Sequence, residues 1–439
     1  MTSVLRRPTR RLPLRGADLV LMAGLRRWKG VSPNPNTLLV VECDGPIPTE
    51  RVSRALDRLL DVCPWPAARL RRPLPWGKLH WAAGPRETLH RPPVRGEILA
   101  RREQLDAALA TELNRAIDAR REAPLRILTL DVERDEPRAA GVLVLTWFHP
   151  LMDAHGGQNL LAHLNHADGE MRWDGVSTSL WPDESRRTLR ERCRVAGPSL
   201  AYLRTVAPVP PVSLAGALGP SGRAFFMRES FDGPDAGDQR GTRELSWRLA
   251  LAGKAMAELW RRRGLPDVPF LLPVSVDQRL KGAPGPTFGS RLGFYFAGFR
   301  PSETGDTPAL ARALRLQMAE VLRAGYIEAN EAGMEFLEYL PLSTMLRVMP
   351  WTASGELFSF NCADLAEWPP ALARCFGRRV VNAYHIPVVP PRPGLGVFFN
   401  RCGSRNNLVV SWLEGVIERD DAARIIEIVR DGMEWTRSP

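Results

Sequence analysis

No stretch of this 439-residue chain approaches the ~20 consecutive apolar residues that a bilayer-spanning helix requires. The apolar piece nearest the start, residues 17–25, contains Asp18 and no small-residue cleavage site, so it is expected to be neither a span nor a signal peptide. The six cysteines (Cys43, Cys63, Cys193, Cys362, Cys375, Cys402) form no C-x-x-C pair and keep no regular spacing, which argues against a zinc ribbon or a disulfide framework. A G-x-G-x-x-G after a strand, a Walker sequence and a G-x-S-x-G elbow are all absent, so nucleotide-dependent and serine-hydrolase chemistries lack support. Lysine is scarce too: among 60 basic residues only Lys29, Lys78, Lys254 and Lys281 are not arginine. Cytoplasm is the expected location.

A hydrophobic content of 44% with 25% charged residues is that of a soluble globular protein, and the length suits two domains of roughly 200 residues each. The segment from Ala139 to Gly157 is the most informative. Ala139 to Phe148 is short, uncharged and rich in valine and leucine, as in a strand buried on both faces. It ends in His149, for which the following Pro150 predicts extended backbone that caps the strand. Asp153 stands at the N-cap of a helix through Gly156, Leu160, Leu161 and Leu164. Histidine titrates near neutral pH, so at a strand end facing an element junction it suits a general base for an alcohol or amine nucleophile.

His149-Pro-Leu-Met-Asp153 resembles the His-x-x-x-Asp-Gly signature of the acyltransferase superfamily that contains chloramphenicol acetyltransferase, plant acyltransferases, wax ester/diacylglycerol acyltransferases and the condensation domains of nonribosomal peptide synthetases. Phe148 stands where many members carry a second histidine, and Ala154 replaces the usual glycine. Leu271 to Arg279, followed by Gly289-Ser290, looks like the family's second-half strand and basic residue, with Ser290 in place of an asparagine. Phe358-Ser-Phe-Asn361-Cys362 is similar to the Ser-Asn stretch of the wax ester branch. His385 to Phe399 resembles the proline-rich turn and strand that follow it, and residues 12–18 and 38–63 fit the family's opening.

The resemblance implies an α/β fold of mixed α+β type: two chloramphenicol-acetyltransferase-like subdomains, each a mixed sheet flanked by helices, with an active-site channel between them. Residues 1–175 would form the first, 176–241 a linker or crossover, and 242–439 the second. It implies His149 as the catalytic base, Asp153 as structural support, and Arg279 as the partner of Asp153 across the junction. Oxyanion or substrate contacts could come from the N–H groups near Gly156-Gly157, or from Ser275 or Asn361. The implied activity is acyl transfer from acyl-CoA to a hydroxyl or amine of a small-molecule acceptor, without metal or bound cofactor. Two alternatives stay open: a free-standing condensation enzyme fed by an acyl carrier protein, and a catalytically inactive carrier-binding member.

His149, Asp153, His155, His163 and His166 lie within 18 residues. A metallohydrolase H-x-H-x-D-H pattern would need histidine at Leu151 and Ala154, so no metal is expected, and His163 and His166 read as solvated positions on a helix. The net charge of +11 can attract anions. Eight Lys/Arg stand against one Asp in residues 1–30, but the arginine pairs elsewhere are scattered and no nucleic-acid motif accompanies them. The phosphates of coenzyme A, or of an acyl-phosphopantetheine on an acidic carrier protein, fit that charge better than nucleic acid.

Spacing elsewhere predicts a strand over 36–45, a helix over 49–62 capped by Thr49, a helix over 102–119 and a strand over 125–132. The pattern weakens over 170–242, with loops at Pro208–Val212 and Gly233–Asp238 and some helix near Leu200. A strand then begins at Thr242, followed by a helix over 250–263, a strand over 270–276 and a helix over 308–324. Strands over 396–402 and 408–413, turned at Gly403, and a helix over 420–435 complete the chain.

Overall fold

The structure is a computed structural model that describes residues 9–25, 34–72, 77–85, 89–132, 141–169, 187–206, 212–214, 222–232, 242–279, 289–342, 344–345 and 358–434. The first half runs β1 (Arg10–Pro13), α1 (Gly16–Gly24), β2 (Asn36–Cys43), α2 (Thr49–Val62), β3 (Arg69–Arg71), β4 (His80–Ala83), β5 (Val94–Leu99), α3 (Gln104–Asn114), β6 (Leu125–Val132), β7 (Gly141–Phe148) and α4 (Ala154–Ala167). Then come α5 (Leu189–Val206), β8 (Ala224–Asp232), α6 (Thr242–Arg262), β9 (Phe270–Asp277), β10 (Leu292–Phe299), α7 (Thr307–Arg323) and α8 (Tyr326–Glu335). The chain finishes with β11 (Asn361–Glu367), β12 (Arg374–Cys375), β13 (Arg378–Ile386), β14 (Leu395–Cys402), β15 (Arg405–Leu413) and α9 (Arg419–Glu434).

A six-stranded sheet in the order β12-β13-β2-β7-β6-β5 carries the site, and a four-stranded sheet in the order β11-β14-β15-β8 faces it. β9 pairs with β10, and β1, β4 and β3 form a small third layer. In β2 and β7 every residue is buried, and alternate side chains feed two different cores. Leu38, Val40, Val142 and Val144 pack with residues of the four-stranded sheet. Leu39, Val41, Leu143, Leu145 and Trp147 pack under α2 and α4. That is the period-2 geometry of a strand applied to a central, doubly covered position. The architecture is the mixed α/β, two-subdomain plan expected.

Several elements differ from the sequence expectation. Thr49 does not cap α2: Pro48 occupies the N-cap, and the Thr49 hydroxyl meets that of Thr129 at 2.7 Å. α3 stops at Asn114 because the buried Arg126 guanidinium takes the carbonyls of Arg115 (2.7 Å), Glu112 (3.3 Å) and Ala116 (3.3 Å), satisfying the helix end there. No strand begins at Thr242. α6 is one continuous helix, and the alternation Leu245-Trp247-Leu249 is overridden by the burial of Ser246, Leu249, Ala250, Ala257 and Trp260 at helical spacing. Within it the buried Arg248 pairs one turn back with Glu244 and, at 2.6 Å, with Asp364. β8, unexpected, is held along its whole length by β15. The expected loops at 208–211 and 233–238 lie outside the described residues. None of the six cysteines forms a disulfide; Cys193 is exposed and Cys402 half-buried. Among the described residues no helix is long and apolar enough to cross a membrane.

Candidate active site

β7 pairs with β2 to its last residue, Phe148 opposite Asn36, and the next amide, that of His149, donates to the Pro35 carbonyl at 2.9 Å. The backbone then bends. His149–Leu151 is a single 3-10 turn closed by the Met152 N–H on the His149 carbonyl (3.1 Å), so His149 opens a turn instead of extending the strand. The pre-proline preference yields because two buried indoles hold the turn. Trp147 donates to the Met152 carbonyl at 2.9 Å and Trp81 to the Pro150 carbonyl at 3.2 Å.

Asp153 caps α4, its Oδ1 accepting from the Gly156 amide at 2.8 Å. Both its oxygens also accept from the Arg279 guanidinium, each at 2.9 Å, and Oδ2 from the Arg291 amide at 2.8 Å. Arg279 is itself oriented by the Gly289 carbonyl (2.9 Å) and Asp277 (3.1 Å). Burial works against ionisation of Asp153, yet the Arg279 charge and these donors hold its carboxyl below the ordinary range. Asp277 also faces His155, at 3.6 Å. The chain β9–Arg279–Asp153–α4 thus ties the second half of the protein to the residues just after His149.

His149 is half-buried, with Nδ1 sealed from solvent and no side-chain partner. Burial pushes its pKa down to about 4, against an upward pull from Asp153 and from its own carbonyl. The ring is therefore neutral at pH 7 and able to accept a proton.

The remaining expected contacts divide. The amides of Gly156 and Gly157, near which an oxyanion contact was expected, are engaged by the Asp153 side chain and carbonyl (2.8 and 3.0 Å). Gly157 instead permits close packing: a Cβ there would lie 2.8 Å from the Trp147 ring. Ser275 is exposed on β9, two residues from Asp277 and hence on the same face. Asn361 opens β11 and donates to the Leu395 carbonyl at 3.4 Å. His163 is 7% exposed and so is no solvated position; only His166 of that pair is exposed. Among the described residues no three His, Cys, Asp or Glu side chains are grouped to hold a metal.

Two features were not read from sequence as parts of a site. His385 on β13 is buried edge-on to Trp147, with ring centroids 6.3 Å apart, and its Nδ1 lies 3.1 Å from the side-chain Oδ1 of Asn400. Burial pushes it to about 4 as well. The second is a cavity of about 360 Å3 walled by Pro150 and Leu151 of the His149 turn, by α1 and by Gly289-Ser290. A second cavity of about 410 Å3 shares Arg15, Glu331 and Glu335 with it. The only sequence signal for the first was an aspartate, Asp18, inside an otherwise apolar run.

No family model matches the chain, and no curated protein matches it in sequence. Solved structures do match in three dimensions. Trichothecene 15-O-acetyltransferase from Fusarium sporotrichioides aligns at a TM-score of 0.67 and 13% identity over 97% of this chain and 94% of its own. A mutant starter condensation domain of rhizomide synthetase in complex with C8-CoA aligns at 0.69 and 14% identity, over 98% and 95%. The chain has the acyltransferase and condensation-domain fold. Wax ester synthase/diacylglycerol acyltransferase from Marinobacter aquaeolei VT8 carries the same fold, at a TM-score of 0.55 and 14% identity over 96% and 98%. In this acyltransferase fold the His149 turn ends β7, and Asp153 just after it is bonded to Arg279 and Arg291, which flank the β9–β10 pair.

Proposed function

We propose that the protein transfers an acyl group from a thioester, acyl-CoA, to a hydroxyl or amine of a small-molecule acceptor, with His149 as general base and no metal. The carrying observation is the half-buried His149 at the end of β7, on a turn followed by Met152 and then by Asp153, which is locked to Arg279 from the other half of the chain. Residues 1–175 and 242–439 would form the two walls, joined through 176–241, although β12 and β13 complete the first sheet and β8 of the joining stretch completes the second. With Nδ1 sealed from solvent, Nε2 takes the acceptor's proton as that atom attacks the thioester carbonyl. The tetrahedral intermediate collapses, expelling the thiolate, which recovers the proton from His149. Such general-base assistance supplies ~10²–10⁴-fold in rate. Ser275, exposed on the Asp277 face of β9, is the candidate donor to the oxyanion. Asp153 and Arg279 position the turn and touch no substrate.

The test is release of free thiol from acyl-CoA in the presence of candidate acceptors, wild type against His149→Ala. Acceptor-dependent release that vanishes in the variant supports the reading; equal release by both rejects it. A carrier-borne donor preferred at low salt, with the preference collapsing as salt rises, would move the donor from CoA to a carrier protein.

A further inference from the structure

The cavity beside the His149 turn has a mixed lining. Trp65, Trp81, Leu12 and Leu14 supply apolar surface, the two indoles meeting edge to face with centroids 6.0 Å apart. Its charged part runs against the protein's overall sign: Asp18, Glu331, Glu335 and Glu338 line it in a chain of net charge +11. Three of these carboxylates have cations of their own. Glu331 pairs with Arg15 (3.2 Å), Glu335 with Arg187, and Glu338 with Lys78 (3.4 Å). Asp18 has no ion pair among the described residues. It is 6% exposed, accepts from the Arg15 amide at 3.3 Å and is hydrogen-bonded by the Ser290 side chain. Burying a carboxylate is costly, the Arg15 charge offsets that cost only in part, and the cavity leaves room for a closer cation.

We propose that this cavity is an acceptor-recognition subsite that binds a cationic group, an ammonium or amidinium, on the Asp18 carboxylate against the Trp65 and Trp81 rings. The inference deepens the acyltransferase reading and rests on it, naming the acceptor as a cation with an apolar body. An acyl chain is a poor occupant, since it would press methylenes on Asp18. A phosphate would meet carboxylates opposed only by Arg11 and Arg15 in the lining. Tryptophan faces attract cations as well as apolar groups. Burial raises the Asp18 carboxyl to about 7, so near neutral pH it is divided between protonated and ionised forms when the cavity is empty, and an arriving cation displaces the proton. The cation held here is not the attacking atom, because the cavity wall is Pro150 and Leu151, beyond His149 along the turn.

Calorimetric titration of the full-length His149→Ala variant with 2-phenylethylammonium and with its uncharged isostere 2-phenylethanol tests the subsite without any acyl donor. The ammonium is expected to bind about tenfold tighter or more. Adding Asp18→Asn, which keeps an oxygen for the Arg15 amide, should bring the two ligands to parity, while Asp18→Glu should retain the preference. Parity in the Asp18 protein, or a preference unchanged by Asp18→Asn, overturns the proposal; should Asp18→Asn fail to fold, the ratio with Asp18 present decides alone. Acyl transfer by His149→Ala would sink the general base and leave this binding result standing, so the two failures are distinguishable.

Discussion

The carboxylate of Asp153 and the guanidinium of Arg279 face each other through two 2.9 Å bonds across 126 residues of sequence. Their side chains are 1% and 13% exposed, so neither ion can be rehydrated in place if its partner is removed. Asp153→Asn and Arg279→Ala are each expected to lower stability by about 3–5 kcal/mol. The double variant should lose less than the sum of the two. A denaturant-unfolding cycle measures this, and strictly additive losses would show that the pair is not coupled.

His149→Ala should lower kcat by ~10²–10⁴-fold with a melting curve close to wild type. Its Nδ1 makes no hydrogen bond to a side chain, so little native structure depends on the ring. Retention of more than about a tenth of kcat in steady-state kinetics would remove His149 from the base role.

Activity and stability should part company in acid. The base is lost only as pH falls through about 4, so kcat at saturating acceptor, which is insensitive to the empty-cavity protonation of Asp18, should stay level between pH 7 and pH 5 rather than break at 6.5. His149, His163 and His385 are each lowered from 6.5 to about 4. Above pH 6.5 they are neutral folded or unfolded and contribute nothing. Below it the unfolded chain binds protons first, so stability falls by about 1.4 kcal/mol per pH unit for each ring until pH 4. Asp18, raised from 3.8 to about 7, acts with the opposite sign over that window and offsets one of the three. A pH series of denaturant unfolding with no decline between 6.5 and 4 contradicts this account.

Gly157→Ala should destabilise by about 1–3 kcal/mol, because the new methyl must displace the Trp147 ring 2.8 Å away. Trp147 holds the Met152 carbonyl, so the His149 turn should shift with it and kcat should fall as well. A wild-type melting temperature in this variant would show that the helix can move off the strand.

The site's scaffold was legible where local signals agreed. An uncharged strand, a histidine at its end and an N-cap aspartate four residues on lie within one short segment, and each signal rests on nearest neighbours. The turn at His149 was misread because two distant indoles, not the proline, decide its backbone. β8 escaped notice since its residues are uniformly half-buried and show no period-2 contrast; pairing with β15 makes it a strand. The Asp18 cavity depends on α1 meeting α8 and the Gly289-Ser290 loop, a juxtaposition that spacing along the chain does not encode. Gly16 marks it only in retrospect: a Cβ there would strike Met334 at 2.4 Å.

The crossing of β13 into the first sheet sets an order of events during synthesis. β2 can pair with β7 on one side as soon as residue 148 has emerged, but its other edge waits for residues 380–386. Until then a strand with the apolar run Leu38–Val41 at its centre presents open backbone donors and acceptors, the kind of edge that pairs with other chains. Pairing so distant in sequence closes slowly. The N-terminal segment that carries His149 is therefore an exposed, adhesive intermediate for most of the time the ribosome needs to finish the chain, and expression of that segment alone should favour aggregation over a soluble half-protein.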